Sequence, residues 1–153
     1  LTPYWSAFSD AYARDDNQWM NESFKSLTRM MLLSIPVLIV MVFMAPLFFK
    51  VWIGDKVTIP FQLNVMVALY VMSQVFSGTH TYIINGLGKV TLQLILYVIF
   101  SVMSIPAMNY LSTKVGIYGI LSVLIMVYFT QSFFCRVQIR KLLTNKATGL
   151  WNA

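Results

Sequence analysis

Charge is scarce in this sequence. Eleven Lys and Arg and five Asp and Glu make up 10% of 153 residues, where a soluble domain carries about 25%. The one cysteine, Cys135, excludes a disulfide framework or a cysteine-rich zinc centre within the chain. The one histidine, His80, argues equally against a multi-histidine metal site. The carboxylates Asp10, Asp15, Asp16, Glu22 and Asp55 are peripheral to the apolar runs, so paired acid–base chemistry has no residues to work with. Asn85-Gly86-Leu87-Gly88-Lys89 is rich in glycine but joins two apolar runs, without the strand-then-helix setting of a phosphate loop. No catalytic residue, metal or cofactor is therefore expected.

What fills the chain instead is apolar side chain, at 58%. Four stretches contain no charged residue: Met31–Phe49 (19 residues), Phe61–Ile84 (24), Val90–Leu111 (22) and Val115–Cys135 (21). A helix of roughly 20 apolar residues crosses a hydrocarbon core of about 30 Å. A membrane barrel would show shorter alternating segments. The expected fold class is all-α integral membrane, with four full transmembrane helices at about 31–49, 61–84, 90–111 and 115–135. The joints at 50–60, Asn85–Lys89 and Ser112-Thr113-Lys114 are short, which makes sequential helices antiparallel neighbours. Pro36, Pro46 and Pro106 fall within or near spans, where kinks are expected.

The flanks sort by charge. Arg14, Lys25, Arg29, Lys89, Arg136, Arg140, Lys141 and Lys146 would share one side of the membrane, against Lys50, Lys56 and Lys114 on the other. Basic residues accumulate on the cytoplasmic side, which predicts both ends of the chain in the cytoplasm. The net charge of +6 then reflects topology and contact with anionic membrane lipids, not nucleic acid, because the cations are dispersed between spans. Residues 1–9 read as the end of a truncated helix, 10–30 as a cytoplasmic interfacial linker, 31–135 as the membrane region and 136–153 as a basic cytoplasmic tail. Within the linker, Asp15-Asp16-Asn17 supplies N-cap chemistry. Met20, Phe24, Leu27 and Met31 then form one apolar stripe, which predicts an amphipathic helix over about 15–30. It either lies at the interface or forms the solvated start of the first span.

Helices that face only lipid have no need of polar residues. In the second span, Ser73, Gln74, Ser77, His80 and Thr81 share one side, with Tyr70 a turn earlier; Gln62, Asn64 and Thr79 are further polar positions. In the third span, Gln93, Tyr97, Ser101 and Ser104 recur at helical spacing. These residues are candidates to line a hydrated path for a polar cargo, or to bridge helices by hydrogen bonds. Gly116 and Gly119, followed by Ser122, form a small face suited to close helix packing. No charged residue lies inside a span, so no ion-coupling site is evident.

Three patterns, in this order, resemble the C-terminal half of bacterial polysaccharide flippases of the multidrug/oligosaccharidyl-lipid/polysaccharide exporter superfamily. The first is Pro3-Tyr4-Trp5-Ser6-Ala7-Phe8-Ser9-Asp10-Ala11-Tyr12-Ala13 with Asp15-Asp16, similar to the end of the eighth helix and the link behind it. The second is Val51-Trp52-Ile53-Gly54, similar to the joint after the ninth helix. The third is Tyr82-Ile83-Ile84-Asn85-Gly86-Leu87-Gly88-Lys89, with Ile105-Pro106 and Val115-Gly116-Ile117-Tyr118-Gly119 beyond it. The resemblance implies one part of a two-lobed, MATE-like transporter that partners an N-terminal lobe of the same protein. It implies a place in the bacterial inner membrane and a lipid-linked oligosaccharide, an O-antigen unit on undecaprenyl diphosphate, as substrate. A multidrug or metabolite exporter and a non-transporting four-helix scaffold subunit are the alternatives.

Overall fold

The computed structural model describes residues 2–54 and 58–153. Its helices are α1 (Thr2–Ala13), α2 (Asn17–Ile53), α3 (Phe61–Leu87), α4 (Thr91–Val115) and α5 (Ile117–Leu143), followed by a 3-10 turn at Gly149–Asn152. No strand occurs among the described residues. α2, α3, α4 and α5 are each long and apolar enough to cross a membrane. Leu1, and Asp55 and Lys56 of the expected joint, lie outside the described residues.

Local chemistry sets the helix ends. Asp16 caps α2, its carboxylate accepting the Trp19 N–H at 3.0 Å. α3 closes on Gly88, whose φ of +69° suits a residue without Cβ. The Gly88 N–H donates to the Asn85 carbonyl and the Lys89 N–H to that of Ile84, a Schellman closure that satisfies two terminal carbonyls. α4 gives way to α5 at one residue, Gly116, with φ +63°.

Several expected boundaries move. The segment over 15–30 and the span at 31–49 are one unbroken helix, so the first is the start of the second and not a separate interfacial element. Its stripe of Met20, Phe24, Leu27 and Met31 is buried inside the protein, because α1, α3 and α5 present a matching apolar face. Ser112-Thr113-Lys114 is helical: the Ser112 and Thr113 hydroxyls donate back to the Asn109 and Tyr110 carbonyls, at 2.9 and 2.7 Å. α5 runs past Cys135 to Leu143, so much of the expected tail is helix, with Ile139, Leu142 and Leu143 buried. The absence of charge marks hydrocarbon depth, whereas a helix continues until its backbone is broken.

Packing order also departs from chain order. α3 and α5 run side by side in the same direction, and α4 packs on α5 rather than on its sequence neighbour α3. The core lies at one end, where Phe8, Met20, Ile83, Ile84 and Ile139 are fully buried. Gly86 lets α1 approach α3 there; a Cβ would stand 2.9 Å from both the Trp5 carbonyl oxygen and Phe8 Cβ. Beyond Met31 no residue of α2 is buried; this half faces α3 across open cavities, with Phe43 5.8 Å from Phe61 between ring centres. The tail folds back on the same end as the core. Trp151 stacks on Phe134, Lys141 Nζ lies 3.9 Å from the Trp151 ring centre, and Lys89 Nζ donates to the Asn152 carbonyl at 2.9 Å.

Candidate functional site

The polar side chains converge on α5. Gln131 is buried there, and its Nε2 donates to Tyr97 Oη of α4 at 2.9 Å and to Thr81 Oγ1 of α3 at 3.2 Å. One amide thus ties three helices together. At the next residue, Ser132 Oγ meets His80 Nδ1 at 3.0 Å, while the same nitrogen lies 2.7 Å from the Phe76 carbonyl oxygen. In lipid, where apolar contact alone does not drive helices together, such bonds contribute about 0.6 kcal/mol each on average.

Beside Gln131, α4 and α5 leave a cleft of about 150 Å³. Tyr97, Ser101 and Ser104 line it from α4 and Tyr128 and Gln131 from α5, together with the apolar Phe100, Met108, Leu124 and Val127. Hydroxyls, an amide and three aromatic rings thus share one small space. Two larger cavities, of about 410 and 390 Å³, lie between α2 and α3 and are almost wholly apolar. Asn64 lines the first of them, its Nδ2 buried without a hydrogen-bond partner among the described residues.

The candidate residues separate accordingly. Tyr97 and Ser101 line the cleft, and Thr81 reaches its edge through Gln131. Tyr70 packs against Tyr128, at 5.9 Å between ring centres, and accepts a bond from the exposed Gln74 at 3.4 Å. Ser73, Ser77 and His80 lie buried between helices and do not line this cleft. They are 0%, 2% and 1% exposed. Ser73 Oγ donates to its own helix, at the Tyr70 carbonyl. Gln93 is buried, with Oε1 lacking a partner among the described residues. Gly119 allows close packing: a Cβ would stand 2.6 Å from the Leu111 carbonyl carbon and oxygen of α4. Gly116 meets nothing within 4 Å and serves the turn instead of a packing face.

The chain matches no known protein family, curated protein or solved structure.

Sequence reasoning missed Gln131, Ser132 and Gln138. Gln138 Nε2 donates to the main-chain oxygens of Lys89 and Trp151, at 3.0 and 3.3 Å, joining the α3–α4 turn to the tail. The signal was present: Gln131, Cys135, Gln138 and Leu142 recur at four, three and four residues, and all four are buried. Polar residues on such a stripe mark a helix that faces protein on that side.

Proposed function

We propose that the chain is part of a two-lobed membrane transporter that moves a lipid-linked oligosaccharide, such as an O-antigen unit, across the bacterial inner membrane. The observation that carries this reading is the cleft where Tyr97, Ser101, Ser104, Tyr128 and Gln131 come together between α4 and α5. Hydroxyl and amide groups exchange hydrogen bonds with sugar hydroxyls, and tyrosine faces stack on sugar rings. The motif order from Pro3 to Gly119 supports the same reading by its resemblance to polysaccharide flippases. Both ends of the chain lie in the cytoplasm on the distribution of Lys and Arg. Alternation of the lobes about a central cavity would carry the cargo, as in repeat-built transporters generally.

The test is translocation in proteoliposomes containing the full-length protein. Replacing Tyr97 and Ser101 together with Leu removes cleft hydrogen bonds contributing about 1 kcal/mol each. Translocation of a diphosphate-linked oligosaccharide should fall about tenfold or more at equal incorporation. An undiminished rate would reject the cleft as a cargo contact. A second reading, an exporter of lipophilic compounds, is favoured by the two apolar cavities between α2 and α3. It predicts that Ala68→Phe, which intrudes on both cavities, blocks export of an apolar dye while leaving oligosaccharide movement intact.

A further inference from the structure

At the end of the bundle that holds the core, α2 and α5 face each other across an open cleft of about 300 Å³. Lys25 and Arg29 line it from one helix and Arg136 and Arg140 from the other, with Thr28 and Leu32 between them. Within each helix the two cations are four residues apart, so each pair points the same way from successive turns. No acidic residue lines this space. Among the described residues the one ion pair is Arg14 with Asp10; Asp16 is engaged in capping α2, and Glu22 accepts from Gln18. Four like charges gathered without a counter-charge repel one another, and an anion placed between them reverses that cost.

The depth of the cleft identifies the anion. Arg29 stands just before the charge-free run that begins at Met31, and Arg136 directly follows the run that ends at Cys135. The cations therefore sit where both helices leave the hydrocarbon, at headgroup level. Leu32 and Leu33, 51% and 65% exposed, continue from the cleft along the apolar side of α2. We infer that this cleft binds the phosphate of an anionic membrane lipid, with the acyl chains lying along the exposed face of α2. Basic pockets between membrane helices take such headgroups in general. The inference rests on the spans alone and is independent of the cargo proposed above.

The probe is phosphatidylglycerol titrated into the full chain in neutral detergent, read as a rise in unfolding temperature. Phosphatidylcholine and soluble pyrophosphate form the comparison arms. Phosphatidylglycerol should stabilise the protein, and phosphatidylcholine should not. Each basic residue near an anionic surface contributes about fivefold in affinity, so Arg136→Gln with Arg140→Gln should weaken phosphatidylglycerol binding about 25-fold. Arg136→Lys with Arg140→Lys should retain most of it, and Lys114→Gln at the far end should leave it unchanged. Equal stabilisation by phosphatidylcholine, or wild-type titration by the double Gln variant with its helix content intact, would overturn the site. Saturation by pyrophosphate with no added effect of phosphatidylglycerol would overturn the lipid as its occupant.

Discussion

Three glycines in helices offer a test of packing in which opposing effects can be weighed. Replacing a helix glycine with alanine stabilises by about 1 kcal/mol, through backbone entropy. At Gly78 in α3 a new Cβ meets nothing within 4 Å, so Gly78→Ala should gain most of that. At Gly119 the Cβ would lie 2.6 Å from the Leu111 carbonyl, about 0.8 Å inside ordinary contact. The obstacle is backbone, which cannot swing aside, and forced overpacking typically costs 1–3 kcal/mol. Gly119 is also the third residue of α5, where the entropic gain is smaller, so overlap wins and Gly119→Ala should destabilise by about 1–2 kcal/mol. Gly86→Ala meets the Trp5 carbonyl at 2.9 Å and should fall between these two. Reversible unfolding in mixed micelles, by titration with a denaturing detergent, gives the three differences. Gly119→Ala as stable as Gly78→Ala would refute the close approach of α4 and α5.

The Gln131 bridge should show pairwise coupling. Gln131→Leu alone is expected to cost about 1–2 kcal/mol, and double-mutant cycles with Tyr97→Phe and Thr81→Val should each return about 0.6 kcal/mol. Coupling indistinguishable from zero in both cycles would contradict the bridge. Leu27→Ala should destabilise by about 2–5 kcal/mol as a buried truncation, whereas Leu33→Ala, on the exposed half of α2, should change stability by less than about 0.5 kcal/mol; equal losses would count against the asymmetric burial of that helix. Trp151→Ala removes the stack on Phe134 and the ring beside Lys141, so trypsin should cut at Lys146 several-fold faster, and an unchanged rate would mean that the tail is not held through Trp151.

The spans were legible because hydrocarbon tolerates no charge, and Arg29, Lys50, Lys89, Lys114 and Arg136 bracket them closely. The stripe from Met20 to Met31 was legible as a face, but periodicity does not say what a face packs against. Protein and lipid are equally apolar, so its burial under α1, α3 and α5 could not be read from α2 alone. The end of α3 was visible in Gly88-Lys89, since positive φ has few suitable residues. The extent of α4 was not, because Ser112 and Thr113 look like a turn yet bond back to their own helix. For the candidate site, Tyr97, Ser101 and Ser104 were found through their spacing, while Gln131 was overlooked because its partners lie 34 and 50 residues away. Placing α5 between α3 and α4 requires those long-range bonds, which a reading of each span by itself does not contain.

The arrangement of the spans is tested most directly by single cysteines at Thr113 and Asn145, labelled in intact cells and in opened ones. Cys135 is buried and gives little background. An impermeant maleimide applied to intact cells should modify Thr113→Cys and leave Asn145→Cys untouched until the membrane is breached. Modification of both from outside, or of neither before opening, would contradict a bundle that crosses the membrane with its basic end in the cytoplasm.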